Sequence, residues 1–126
     1  MKKGLILIVM AGGFFFLFQS FNSTTNPDGE IPKEVNEVLV SSCYDCHSTT
    51  AKNQDARDAL NFEKWDEYRV TKKIGLLGKT GELIEEEKMP PAKYLGFKPD
   101  RKLSETQKQM LLDWTKKESS ALMEGN

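Results

Sequence analysis

Histidine and cysteine are scarce in this sequence. Its 126 residues include one histidine and two cysteines. These numbers exclude a structural zinc site in which cysteine and histidine supply all four ligands. A basic excess is also missing, because 18 Lys and Arg residues oppose 19 Asp and Glu residues. Nucleic-acid binding requires a basic face, so the composition argues against that class of function.

The scarce residues stand side by side, in the run Cys43-Tyr44-Asp45-Cys46-His47. This is a Cys-x-x-Cys-His motif, which is the attachment signature of a c-type haem. Two thiols one helical turn apart can each add to one of the two vinyl groups on a haem edge. The histidine that follows is placed to serve as the proximal iron ligand. The motif therefore predicts covalent attachment through Cys43 and Cys46 and iron ligation by His47.

Three other interpretations of the motif stay open. A zinc site would need a carboxylate as the fourth ligand after Cys43, Cys46 and His47. A thioredoxin-like dithiol is expected in a βαβ context, whereas the flanking sequence is helical in character. A disulfide between cysteines this close would close a strained small ring. The sequence favours haem over each of them.

The N-terminus indicates export. Lys2 and Lys3 precede an unbroken run of apolar residues and glycine at 5–18. We interpret residues 1–21 as a signal peptide, with a retained membrane anchor as the alternative, because the run is short for a membrane span. Both interpretations predict a periplasmic protein, soluble or tethered to the membrane. Without Lys2 and Lys3 the exported part is more acidic than the whole chain.

The composition divides the remainder into three parts. Residues 22–32 have the Ser, Thr, Asn, Pro and Gly content of a flexible linker. Residues 33–119 form the predicted domain, and residues 120–126 form a predicted disordered tail. A domain of about 100 residues or fewer has a marginal core. A covalently bound, largely apolar cofactor would enlarge that core.

Apolar periodicity predicts an all-α domain. Ser104 and Gln107 form a capping box at the start of the last helix, which we expect to pack against the first. The glycine-rich run 75–81 predicts a break between two helices, and it lacks the first glycine of a phosphate-binding loop. The predicted helices span residues 32–42, 55–60, 66–77, 82–88 and 104–119.

Met89 is the candidate for the sixth iron ligand. Pro90 and Pro91 follow it and stop the preceding helix in a rigid, extended backbone, which suits a thioether held over an iron. The other methionines suit this role less well, since they lie in the signal segment, inside a predicted helix or in the tail. The alternative is that Met89 is an incidental surface residue at a turn. His/Met ligation is a recurrent haem arrangement.

Two further sets of residues are candidates for contacts. Trp65 and Tyr68 could pack on haem or bind a propionate, and ordinary core packing is an equally good interpretation. A basic cluster could steer an acidic redox partner, although a solvated face is the favoured interpretation. The members of this cluster are Lys93, Lys98, Arg101 and Lys102.

The chain resembles the small bacterial haem-binding-domain family, a branch of the class I c-type cytochromes, over residues 35–117. Four stretches carry the resemblance: Ser42-Cys43-Tyr44-Asp45-Cys46-His47-Ser48, Leu60-Asn61-Phe62-Glu63-Lys64-Trp65, Lys88-Met89-Pro90-Pro91 with Tyr94, and Leu103-Ser104 leading to Asp113-Trp114. The resemblance implies a small cytochrome c-like helical domain wrapped around one covalently attached haem c. It implies thioether bonds at Cys43 and Cys46 and axial ligation by His47 and Met89.

These features together predict a monohaem carrier of single electrons that is not an enzyme and that exchanges electrons with redox partner proteins. The first alternative is a haem-based sensor or peroxidase-like enzyme in which Met89 gives way to a small ligand. The second is an accessory haem subunit of a larger respiratory complex.

Overall fold

The computed structural model describes residues 29–125, and over this range the chain is all-helical, as predicted. The predicted signal or anchor segment, residues 1–21, lies outside the described residues. Across residues 29–125, none of the helices is both long enough and apolar enough to span a membrane. The helices are α1 (Lys33–Ser42), α2 (Tyr44–His47), α3 (Gln54–Ala59), α4 (Val70–Glu85), α5 (Ala92–Phe97) and α6 (Glu105–Glu124). Two 3₁₀ helices, Phe62–Glu67 and Pro99–Arg101, precede α4 and α6.

The core lies where α4, α6 and α1 meet. The most extensive interface is between α4 and α6, and α1 packs against α6 as predicted. Leu39 of α1, Leu77 of α4 and Leu111 of α6 are fully buried at the centre. In each helix, the buried apolar residues recur with the helical period, and polar residues occupy the outer face. These three helices form the frame that supports the shorter elements.

The predicted helix break at residues 75–81 is wrong. Helix α4 runs unbroken through Gly75, Gly78 and Gly81. Gly81 explains part of the glycine content, because a Cβ atom there would lie 2.9 Å from Oγ1 of Thr115 on α6. The missing side chain lets the two helix backbones approach closely. Glycine therefore serves helix packing here, and tertiary contact overrides its low helix propensity.

The boundaries of the domain also differ from the prediction at both ends. Gly29 belongs to the packed domain, since its carbonyl accepts hydrogen bonds from Nε1 of Trp65 at 2.7 Å and Nζ of Lys73 at 3.4 Å. Gly29, inside the predicted linker 22–32, thus packs against the domain, and residues 22–28 lie outside the described range. The tail prediction is wrong for 120–124, because α6 continues to Glu124 and buries Leu122 beside Gly29.

The capping box at the start of α6 is confirmed. Oγ of Ser104 accepts from the backbone N–H of Gln107, and the Gln107 side chain accepts from the backbone N–H of Ser104. The predicted helix 66–77 instead begins at Val70, after the 3₁₀ helix Phe62–Glu67. Asn61 starts that 3₁₀ helix by accepting the N–H of Glu63 with its side chain.

Candidate haem site

An apolar cavity of about 330 Å³ opens between the short helices and α4. Its lining brings Met89 together with Cys43, Cys46 and His47, although Met89 lies 42 residues after His47 in the sequence. Most of the remaining lining is aliphatic or aromatic and includes Leu60, Phe62, Leu76, Leu83 and Ile84. A concave, mostly apolar site with a few convergent polar groups is typical of a cofactor pocket.

A single turn of backbone holds the attachment motif together. The amides of Cys46 and His47 both donate to the carbonyl of Cys43, at 3.1 and 3.0 Å. This turn is α2, and it follows α1 directly because Cys43 caps the C-terminus of α1. The three side chains of the motif therefore project from one helical turn beside the cavity.

His47 is held in one tautomer by the backbone. Its Nδ1 lies 3.0 Å from the carbonyl oxygen of Ala56 and 2.9 Å from that of Leu60. A carbonyl only accepts, so in the neutral imidazole the proton is on Nδ1, and Nε2 is the nitrogen that can bind a metal. Phe62 packs edge-on against the imidazole, with ring centroids 6.1 Å apart. Iron-ligating and other metal-ligating histidines are commonly oriented by such a bond from the second nitrogen.

Both cysteines are free thiols within the described chain. Burial, followed by the proximity of Cys46, raises the pKa of the Cys43 thiol to about 12. A reactive dithiol needs a lowered thiol pKa, so this environment differs from that of a thioredoxin-like site. No strand occurs in residues 29–125 to supply the βαβ context either. In the same range, no group of three or more His, Cys, Asp or Glu residues is arranged to hold a metal ion.

The loop that carries Met89 is fixed to the end of α4. The N–H of Lys88 donates to the carbonyl of Leu83 at 2.9 Å, and the N–H of Glu87 donates to that of Ile84 at 3.1 Å. Glu87 takes the left-handed conformation, with φ of 57°. These features define a Schellman cap. The N–H of Met89 also donates to Leu83, at 3.1 Å, which fixes the backbone of Met89 at the cavity wall.

Trp65 and Tyr68 do not line this cavity. Trp65 is buried in the core against Trp114, and its Nε1 is bonded to Gly29. The hydroxyl of Tyr68 accepts a hydrogen bond from the N–H of Asn61 at 3.0 Å. This N–H belongs to the same peptide group as the Leu60 carbonyl that His47 contacts. The polar atoms of both aromatic side chains thus form hydrogen bonds with the protein's own backbone.

Sequence reasoning gave no role to the side chain of Asp45, which the structure connects to α5. Its Oδ2 accepts from Oη of Tyr94 at 2.7 Å and from Nζ of Lys98 at 3.1 Å. These hydrogen bonds lower the pKa of Asp45, and burial together with the bond to Asp45 raises that of Tyr94 to about 12. The sequence carries no signal for this contact, because 49 residues separate Asp45 from Tyr94.

The basic cluster is only partly a solvated face. Lys98 bonds Asp45, and Nη1 of Arg101 donates to the carbonyl of Ser41 at 2.7 Å. Lys93 and Lys102 are exposed. Lys98 therefore joins the segment after Met89 to α2, and Arg101 joins it to the end of α1.

Comparison with known proteins identifies the family. The model of the haem-binding domain family matches residues 50–117, more than half of the chain. The protein therefore belongs to the haem-binding domain family. The matched part includes Met89 and Tyr94 and begins after the Cys-x-x-Cys-His motif. No curated protein and no solved structure matches the chain.

The residues at the cavity fit the haem that the family implies. The lining is apolar, as a macrocycle requires, and two free thiols lie at its edge. The imidazole beside them is hydrogen-bonded through Nδ1, which leaves Nε2 as the atom available to a metal, and a thioether lies in the same lining.

Proposed function

We propose that the protein carries one covalent haem c and transfers single electrons in the periplasm. Cys43 and Cys46 would form the thioether bonds, and His47 and Met89 would be the axial ligands. The observation that carries this proposal is the convergence of these four side chains on one apolar cavity. Haem supplies, when bound, an iron that accepts and returns one electron.

The protein's own groups favour electron transfer over substrate chemistry. The carbonyls of Ala56 and Leu60 hold the imidazole of His47 in the tautomer that can bind a metal. The C-cap of α4 holds Met89 at the cavity wall. His47 and Met89 would then both bind the iron, which would leave no coordination site open to a substrate. The lining is mostly apolar, and a methionine ligand would raise the reduction potential relative to a second histidine.

A second candidate function is a haem sensor or peroxidase-like enzyme in which Met89 leaves the iron. One observation favours it: Met89 is only partly buried, and it lies on a loop rather than within a helix. An accessory subunit of a respiratory complex would use the same haem site, and it would copurify with that complex. Export through residues 1–21 is proposed on the sequence pattern.

The test compares Met89→Ala with wild type, both produced in a host that attaches c-type haem. Met123→Ala is the matched control, because Met123 is an exposed methionine on α6 and does not line the cavity. We expect wild type and Met123→Ala to contain covalent, six-coordinate, low-spin haem in both oxidation states. Met89→Ala should become high-spin and should bind carbon monoxide rapidly when reduced.

Two results would contradict the proposal in different ways. A wild-type protein that is already high-spin would remove Met89 as a ligand and favour the sensor or enzyme. A protein without covalent haem would refute the assignment of Cys43 and Cys46.

A further inference from the structure

The side chain of Asp45 connects the attachment motif to the segment that follows Met89. Its Oδ2 accepts the hydroxyl of Tyr94 at 2.7 Å and the ammonium of Lys98 at 3.1 Å. Hydrogen bonds to a carboxylate are roughly twice as strong as neutral ones. The contact joins α2 to α5, which are not neighbours in the chain.

The position of α5 in the chain makes this contact relevant to Met89. Pro91 is the N-cap of α5, so only Pro90 lies between Met89 and the N-cap of this helix. Pro91 and Tyr94 line the cavity together with Met89. The Schellman cap holds the loop on its N-terminal side, and α5 must hold it on the C-terminal side.

Helix α5 has little apolar burial to hold it. Within the described chain, none of its residues is fully buried, and Phe97 at its end is 80% exposed. Its only substantial helix contact there is with the 3₁₀ helix that follows it, Pro99–Arg101. Segments with few buried apolar contacts open at low cost in free energy. Side-chain hydrogen bonds therefore contribute a large share of what positions α5.

We propose that Asp45 and Tyr94 form a clamp that keeps Met89 in place over the haem, with Lys98 as a second, weaker donor. They are positioning residues, since they act through the loop, and the clamp sets how often the sixth position opens. This inference rests on the proposed ligation by Met89. One residue of the attachment motif thus helps to position the distant ligand.

The experiment uses the full haem-loaded protein with Tyr94→Phe, Asp45→Asn and the double variant. Tyr94→Phe removes the hydroxyl donor, Asp45→Asn removes the negative charge of the acceptor, and each change keeps the side chain close in size. Ser104→Ala is the control for loss of a hydroxyl hydrogen bond, because Ser104 caps α6 and does not line the cavity. Asp113→Asn is the control for the carboxylate, because Asp113 bonds Gln109 within α6.

Three readouts distinguish positioning from general stability. The first is the ferric absorption band that appears only with a thioether on the iron. The second is the rate of carbon monoxide binding to reduced protein, and the third is amide exchange across residues 89–98. We expect a weaker band, carbon monoxide binding about 3- to 10-fold faster, and faster exchange in that segment alone. The double variant should match the stronger single variant, and both controls should match wild type.

The outcomes separate the clamp from the function on which it rests. A thioether band in wild type that is unchanged in both single variants would overturn the clamp and leave His/Met ligation intact. A wild type without the band would overturn ligation by Met89 and the clamp together. If Tyr94→Phe did not fold, Lys98→Met should show smaller changes in the same three readouts. A Lys98→Met protein with the same three readouts as wild type would also overturn the clamp.

Discussion

The cavity has two walls that are held in different ways. The attachment wall consists of Cys43–His47 with Leu60 and Phe62, and backbone groups fix its histidine. The methionine wall consists of residues 83–94, and it depends on the C-cap of α4 and on the side-chain bonds of α5. A carbonyl of the main chain cannot be removed by substitution, whereas a tyrosine hydroxyl can.

This difference indicates which part of the site is open to adjustment. In the attachment wall, one helical turn carries the two thiols and the imidazole, and main-chain carbonyls of Ala56 and Leu60 orient the imidazole. The methionine wall can vary its hold on Met89 through single exposed side chains. The reduction potential and access of small ligands would then be tuned from this wall.

The largest expected effect breaks the attachment wall. Replacing both Cys43 and Cys46 with alanine should abolish covalent haem completely, because no other cysteine is present in the chain. The measurement is the haem that stays with the protein after denaturation and acid–acetone extraction. Each single variant should retain haem through one thioether. Full retention of haem by the double variant would contradict the assignment of this wall.

The next largest effect is expected from the packing of α4 on α6, which supports the methionine wall. Gly81→Ala should destabilise the protein by about 1–3 kcal/mol, because the new methyl group would lie 2.9 Å from Oγ1 of the stiff, buried Thr115. The measurement is urea unfolding of the haem-loaded protein. Gly78→Ala is the matched control, since among the described residues nothing lies within 4 Å of the new methyl group.

The control should gain stability, by about 0.5–1 kcal/mol, through better helix propensity. Equal effects of the two glycine substitutions would contradict the close approach of α4 and α6.

A smaller effect is expected behind the attachment wall. Tyr68→Phe removes the acceptor for the buried N–H of Asn61, which should cost about 1–2 kcal/mol. Urea unfolding measures this loss, with Tyr44→Phe as a hydroxyl control on a partly exposed bond. If Tyr68 instead bound a propionate, the substitution would affect the loaded protein and leave the haem-free protein unchanged. We expect the loss in both forms.

The smallest effect is a pH dependence confined to the methionine wall. The folded protein raises the pKa of Tyr94 from 10.0 to about 12 through burial and its bond to Asp45. Because the folded state holds this proton more tightly, the stabilisation is complete below pH 10 and is lost as the pH rises through about 12. The bond is exposed, so it should contribute at most about 1 kcal/mol.

The measurement is the stability difference between wild type and Tyr94→Phe at pH 8 and above pH 11. The difference should shrink at the higher pH. A difference that stays constant would show that the hydroxyl does not titrate in this bond.

Local patterns in the sequence were sufficient for part of this account. The all-α class, helix α1 and the capping box at Ser104 follow from periodicity and capping chemistry, which act over a few residues. The motif Cys43–His47 and the run Met89-Pro90-Pro91 identified the candidates for thioether formation and ligation, and the family match agrees with a haem-binding domain. The functional roles of these residues remain predictions.

Only the tertiary structure decided the remaining features. The glycine-rich run predicts a helix break from the sequence alone. In the structure α6 packs closely against Gly81, where a side chain would not fit. The sequence places Leu122 in a polar tail, whereas in the structure Leu122 is buried beside Gly29. The bond between Asp45 and Tyr94 depends on how α2 and α5 meet across the cavity. Each of these contacts joins residues distant in the chain, and local propensity carries no information about which distant residues will meet.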